Sequence, residues 1–314
     1  MSELDRMTGG AAAEAVALPA SLGQQRLWFL EQVEPGTGRW NVGFTMHIPG
    51  AFDEDALRRA LDALVERHES LRTVFAAVDG QAAQVILPPA PAALSVFDLS
   101  GVPAAERDQA ALHRLDAENQ RPFDLAEGPL FRAALVRVGP DDRLLHLGLH
   151  HAVADEASLA ILDRELRALY EAFAAGLPSP LGEPPVQYAD FALWQREMLE
   201  EGEMDRQLAW WRERMDGATS VLDLPADLPR PAVQTWAGAG LIARVDPAVR
   251  ERLWTLARQE GATPFMMLLA LWQLLLGRLA AKRTWWWAPP SRGARTRRKA
   301  PSAFSSTRWP CAAT

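Results

Sequence analysis

The sequence predicts an α+β fold, and three observations carry that expectation. Residues 143–150 alternate, with Leu145, Leu147 and Leu149 on one side and His146, Gly148 and His150 on the other, which is the period of a half-buried strand. Leu57, Ala60, Leu61, Leu64 and Val65 recur at helical spacing, as do Leu159, Leu162, Leu166, Leu169 and Phe173. Strand and helix patterns then follow one another without the regular βαβ rhythm of a parallel, doubly wound sheet.

Taken in order, Asp53 is placed to cap the first of these helices. Residues 71–78 read as extended and close on an Asp79-Gly80 turn. A helix is expected over 104–119, the strand over 143–150, and then the helix through Leu159 and Phe173, stopped by Gly176. Residues 177–185 (LPSPLGEPP) read as a linker, 188–215 as helical, and 223–231 as a second proline-rich connection. Residues 241–245 suggest a strand, and 247–259 and 263–279 two more helices. No internal repeat is visible. The expected organisation is a disordered N-terminus over 1–17, a first lobe over 18–176, part of a second lobe over 177–281, and an aberrant basic tail over 282–314.

With 48% hydrophobic and 23% charged residues in 314, the chain is long and apolar enough to bury a core, which excludes disorder throughout. Its one cysteine, Cys311, excludes a disulfide scaffold and a zinc cluster of thiolates. The start lacks the basic-then-apolar pattern of a secretory signal. The longest apolar run, 265–276, is too short for a bilayer span and reads as a buried helix, so a cytoplasmic protein without membrane contact is expected. The net charge of -7 is uneven. Eight of the 33 basic residues and no acidic one fall in 281–314, leaving 25 basic against 40 acidic in the other 280 residues. An acidic body disfavours nucleic acid as a partner.

The densest chemistry is His150-His151-Ala152-Val153-Ala154-Asp155-Glu156-Ala157-Ser158, where a strand ends and a helix begins. Neighbouring strand residues point to opposite faces, so the two histidines cannot ligate one metal together. One can face the core while the other faces a cleft, where an imidazole can take or steer a proton near neutral pH. Asp155 can pair with a cation or cap the helix. No nucleophilic serine or cysteine and no glycine-rich phosphate loop accompanies them.

This string resembles the HHxxxDG motif of the condensation domains of nonribosomal peptide synthetases. Four other strings agree, in that family's order. They are Ser21-Leu22-Gly23-Gln24-Gln25-Arg26-Leu27-Trp28-Phe29-Leu30, Arg67-His68-Glu69-Ser70-Leu71-Arg72-Thr73-Val74-Phe75, Arg121-Pro122-Phe123-Asp124-Leu125 with Gly128-Pro129-Leu130-Phe131-Arg132, and Tyr188-Ala189-Asp190-Phe191-Ala192-Leu193-Trp194. The resemblance runs from Leu18 to Leu279.

It implies two lobes, each similar to chloramphenicol acetyltransferase, with a tunnel between them. A donor acyl or peptidyl thioester and an acceptor aminoacyl thioester would enter on the 4'-phosphopantetheine arms of peptidyl carrier domains, within an assembly of other synthetase modules making a secondary metabolite such as an antibiotic. The acceptor amine would attack the donor carbonyl. His151 would be the catalytic residue, with His150 and Asp155 structural, and neither metal nor bound cofactor is implied. His150 at the first motif position argues against heterocyclisation, and Leu159 after Ser158 argues against epimerisation. The family's glycine is Glu156 here; near His151 its charge would favour the imidazolium, and the expectation is that it points to solvent. Arg26, Leu27 and Trp28 are expected to pack within the lobe, Arg67 and Arg72 to form internal ion pairs, and Trp210 and Trp211 to pack. No carrier precedes Leu18, so the donor is expected from another chain or as a free starter.

From Lys282 the composition breaks. Trp285, Trp286 and Trp287 precede a stretch rich in Arg, Pro and Ser, where the family has a DVVVGTPVAGR-like strand and then GFFVNT. Joining each codon's last base to the next codon's first two recovers both. The three tryptophans with Ala288 force Val-Val-Gly, Arg283 and Thr284 permit Asp-Val, and 288–294 permit Thr-Pro-Val-Ala-Gly-Arg. Residues 301–308 permit Val-Gly-Phe-(Phe or Leu)-Val-Asn-Thr. The tail thus reads as out of frame, and its loss removes an arginine expected to pair with Asp155, leaving that carboxylate unpaired. The competing explanation is a native basic tail that binds an anionic partner. For function, the alternatives are a coenzyme A-dependent acyltransferase of the HHxxxD superfamily and a non-catalytic, carrier-binding remnant.

Overall fold

The computed structural model describes residues 15–217, 224–232 and 243–280, together with the backbone strands Trp285–Trp287 and Cys311–Ala313. The described residues fall into two compact units, the chain passing from the first to the second after Arg206.

In the first unit the chain runs β1 (Val16–Pro19), α1 (Leu22–Val33), β2 (Asn41–Pro49), α2 (Glu54–Arg67), a 3-10 turn (Glu69–Arg72), β3 (Thr73–Val78), β4 (Gln81–Ile86), β5 (Leu94–Asp98) and α3 (Arg107–Gln120). It continues through β6 (Phe131–Gly139), β7 (Asp142–His150), α4 (Glu156–Ala174) and α5 (Tyr188–Glu200). Two sheets form, a mixed one in the order β2-β7-β6-β5 and an antiparallel one in the order β1-β4-β3. Strand β7 is central. It pairs with β2 from Asn41↔His150 to Pro49↔Asp142 and with β6 on its other side.

The alternation in β7 does what its period requires. Leu145, Leu147 and Leu149 are fully buried against Leu57, Leu61 and Leu64 of α2 and Leu162, Leu166 and Leu169 of α4. Each such side chain stabilises the fold by about 1.5–3 kcal/mol relative to exposure. On the opposite face α3 sets Ala111 and Leu115 against Val136 and Val138. Asp53 caps α2 as expected, accepting from the Ala56 N–H at 3.0 Å. Gly176 follows α4 at φ 70°, a conformation that favours glycine.

Several expectations need correction. Residues 69–72 are helical, because the Leu71 N–H turns back to the His68 carbonyl, so the strand opens only at Thr73. The helix expected from Ala104 starts at Arg107, after a turn closed from the Glu106 N–H to the Pro103 carbonyl. Val16 and Ala17, expected in a disordered N-terminus, pair with Ile86 and Val85 as an edge strand. The proline-rich 177–185 does not end the first unit. Beyond it α5 buries Tyr188, Ala189 and Ala192, and the Gln187 side chain is bonded to both the Arg67 carbonyl and the Glu69 N–H.

The second unit holds most of α6 (Glu203–Met215), α7 (Pro247–Gln259), α8 (Pro264–Leu279) and the backbone pair Trp285–Trp287 with Cys311–Ala313. Asp246 and Thr263 cap α7 and α8, each followed by proline at the first helical position. Helices α7 and α8 form where expected, at 110° to one another. Of the expected strand over 241–245, residues 243–245 are irregular and the rest lies outside the described residues.

Helix α8 is not the buried helix expected. Only Met267 and Leu276 are buried, while Phe265, Met266, Leu268, Trp272, Leu274 and Leu275 are exposed. A helix apolar on every side needs cover on every side, and here two positions are buried. Trp210 is likewise half exposed, its ring edge-on to Trp211 at 4.7 Å. No single helix among the described residues is long and apolar enough to cross a membrane. Beyond the two backbone strands, the tail read as out of frame lies outside the described residues.

Candidate active site

The histidine string leaves β7 through a turn whose backbone is tied on both sides. The His150 N–H donates to the Leu130 carbonyl at 3.0 Å, the His151 N–H to the Trp40 carbonyl at 2.6 Å, and the Val153 N–H to the His150 carbonyl at 3.0 Å. Asp155 then caps α4. One of its oxygens accepts from the Ser158 N–H at 2.9 Å and from the Ser158 hydroxyl at 2.7 Å, while the Asp155 N–H donates to the Ser158 oxygen at 3.2 Å. Of the two chemistries open to Asp155, the cap is the one present. The carboxylate expected to stand unpaired thus has two hydrogen-bond donors. Glu156 is exposed at the first position of α4, where its charge favours the helix dipole.

The two imidazoles differ in environment and in proton placement. His150 is 2% exposed. Its Nδ1 accepts from the Ala152 N–H at 3.0 Å, so the neutral ring carries its proton on Nε2, which has no hydrogen-bond partner among the described residues. Burial, with a smaller contribution from the adjacent His151, pushes its pKa down to about 4. It is therefore neutral across physiological pH, with Phe123 edge-on at 6.3 Å. His151 is half-buried, and its Nδ1 lies 2.8 Å from the Ala154 carbonyl. A carbonyl only accepts, so Nδ1 holds the proton and the lone pair of the neutral ring sits on Nε2. That tautomer is the one a proton acceptor at Nε2 requires.

The other strings meet beneath this turn. Ser21 and Gln24 form a capping box at the start of α1, the Ser21 N–H donating to Gln24 Oε1 at 2.9 Å. The Gln24 amide reaches the Ala152 carbonyl at 3.4 Å, and the Ser21 hydroxyl lies 2.7 Å from the Tyr188 hydroxyl. Burial holds the Tyr188 phenol protonated well above its usual range. The Phe75 N–H donates to the Leu125 carbonyl at 2.7 Å. Leu27, Phe75, Phe123, Leu130, Ala152 and Tyr188 share one core cluster, with Trp28 and Trp40 against it. Leu27 and Trp28 pack as expected, whereas Arg26 is exposed. Sequence reasoning did not single out Ser21, Gln24, Trp40 or Tyr188. Ser21, Gln24 and Tyr188 carried a signal as members of those strings, whereas Trp40 lies outside all of them.

Glu165 lies 3.0 Å from Arg67 and 2.7 Å from His68, an inward ion cluster that ties α2 to α4. Arg72 is 3.7 Å from Glu69 and also donates to the Leu87 carbonyl. Both arginines are thus internal partners. Among the described residues no group of three His, Cys, Asp or Glu side chains is placed to hold a metal ion.

The Condensation domain family profile matches residues 15–287. A linear gramicidin synthase protein of Brevibacillus parabrevis is 45% identical over 266 residues, 84% of this chain and 3% of that protein. Phosphinothricin tripeptide synthetase PhsC of Streptomyces viridochromogenes is 45% identical over 270 residues, 85% of this chain and 24% of that protein. Among solved structures, the X-domain from teicoplanin biosynthesis superposes with a TM-score of 0.75 at 26% identity, covering 85% of this chain and 58% of the other. The chain therefore spans a small part of its curated relatives and somewhat over half of the length of that solved chain. The profile match, the synthetase relatives and the shared fold establish that this chain belongs to the condensation-domain family of nonribosomal peptide synthetases.

Proposed function

We propose that the His151 site serves amide formation between a donor acyl or peptidyl thioester and an acceptor aminoacyl thioester. Both are delivered on the 4'-phosphopantetheine arms of carrier domains, in a cytoplasmic assembly with other synthetase modules. The observation that carries the reading is the Nδ1–H bond from His151 to Ala154, which leaves the ring's lone pair on Nε2. The acceptor nitrogen attacks the thioester carbon, the carbon–sulfur bond breaks, and the departing thiolate leaves as a thiol. The proton lost by the nitrogen passes to, or is steered by, His151 Nε2 and ends on the departing sulfur. Holding two thioesters in place removes much of the entropic barrier, and His150 and Asp155 serve by shaping the turn.

The 314 residues as written belong in this reading to an inactive form of such a domain. Its support is the open apolar surface of α8 and a family match that stops at residue 287, just past the compositional break. Adding one base, or removing two, near the Lys282 codon restores the DVVVGTPVAGR-like and GFFVNT-like strings. The test is to resequence the locus and express written and corrected chains side by side with two loaded carrier domains, reading amide product by mass spectrometry. The corrected chain is expected to condense and the written one to fail. Equal condensation by both would mean that the basic tail is native.

A further inference from the structure

We infer that Asn41 is a positioning residue for His151, acting through the carbonyl of Trp40, and that Gly38 makes this possible. The His151 backbone hangs from that carbonyl by a 2.6 Å bond, so whatever fixes Trp40 fixes the origin of the His151 side chain. Trp40 lies in the short loop ahead of β2, and two contacts dock this loop on the last turn of α3. The Asn41 amide donates to the Asn119 carbonyl at 2.6 Å and to the Arg121 carbonyl at 2.8 Å, satisfying carbonyls that a helix end leaves without partners. Gly38, at φ 60°, approaches so closely that a Cβ there would lie 2.2 Å from the Gln120 carbonyl oxygen. Only glycine fits both the conformation and the space.

The helix end is itself anchored to the sheet. Buried Arg132 on β6 donates to the Glu118 carbonyl at 2.8 Å and also to that of Arg121, and its guanidinium stacks on Phe123 at 3.8 Å. Asn41 also lies directly across the sheet from His150. The path from Arg132 through the end of α3 to Asn41, Trp40 and His151 is therefore one of direct contacts. Apart from His151, none of these residues is placed to react with a substrate.

The inference rests on His151 as the reacting residue, but its test reads position and not turnover, so the two can fail separately. Backbone amide exchange and the imidazole nitrogen resonances of His151 are measured in the full 314-residue chain, in Asn41→Ala and in Gly38→Ala. One variant removes the donors and the other adds the clashing Cβ, so they reach Trp40 by different routes. Either variant is expected to raise exchange at the His151 amide about tenfold while Leu145 and Leu147 in β7 keep their protection. The ring should move from a single Nδ1–H tautomer towards the mixture of a free imidazole. Unchanged exchange at His151, or an equal rise at His151, Leu145 and Leu147 in both variants, would overturn the inference.

Discussion

The Gln24 amide meets the Ala152 carbonyl at 3.4 Å across 128 residues of sequence, joining the first helix of the chain to the turn that carries His151. The same Ala152 gives its N–H to His150 Nδ1, so this one residue is gripped from both sides. Gln24 is in turn held by Ser21, which is bonded to Tyr188.

Gln24→Leu should therefore remove both the capping bond to Ser21 and the bond to Ala152 while filling similar space. The expected cost is about 1–3 kcal/mol, because buried polar groups on Ser21 and Ala152 lose their partner. Urea denaturation monitored by tryptophan fluorescence would show a lower midpoint at unchanged slope. An unchanged midpoint would mean that this contact adds nothing to the turn.

Glu165 makes a stronger demand. Burial pushes its carboxyl up, and the hydrogen bonds and charges of His68 and Arg67 outweigh that, leaving its pKa below the usual carboxylate value. A lowered carboxyl pKa contributes stability that is present above the unfolded-state value of 4.5 and lost as pH falls through the lower folded value. Glu165→Ala leaves Arg67 and His68 facing inward without their anion, and a loss of about 3 kcal/mol is expected. Denaturation at several pH values checks both points, since the variant should also lose part of the wild-type acid sensitivity below pH 4.5.

His150 acts in a higher pH window. Its folded pKa of about 4 lies below the unfolded value of 6.5, so the unfolded chain binds a proton first as pH falls. Stability is full above 6.5 and declines towards 4, by about 3 kcal/mol at 1.36 kcal/mol per pKa unit. In His150→Gln the decline over that window should flatten even if the variant is less stable at pH 7. A wild-type midpoint constant from pH 7 to pH 4.5 would contradict the assignment of His150 as a buried neutral ring.

Helix α8 predicts how the written chain behaves. Phe265, Met266, Leu268, Leu274 and Leu275 are each about half exposed, and uncovered large apolar side chains favour association. Light scattering should show self-association that Leu268→Lys with Leu275→Lys reduces. A monodisperse wild-type monomer would mean that this surface is covered.

Much of the site's location was legible and little of its support. The alternation over 143–150 and the capping residue type at Asp155 are local, so the strand was legible from periodicity and the cap was one of the two roles open to Asp155. Strands β1, β2, β4, β5 and β6 were missed. Val16–Pro19 is an edge strand of four residues, and β6 is buried almost throughout, so neither shows a clear period of two. Gln24, Trp40 and Asn41 act through amides and carbonyls, and a backbone partner far away in sequence leaves no mark in composition. The exposure of α8 was illegible for the opposite reason, because an apolar helix has the same sequence pattern whether or not its cover is present.

The account's central claim is that His151 handles the proton of the attacking amine. The most direct test is the rate of amide formation between two loaded carrier domains in the frame-restored protein, with and without His151→Ala. Loss of a positioned proton acceptor should lower the rate by about 10²–10⁴-fold, with carrier binding retained. A His151→Ala variant that condenses at the full rate would contradict it.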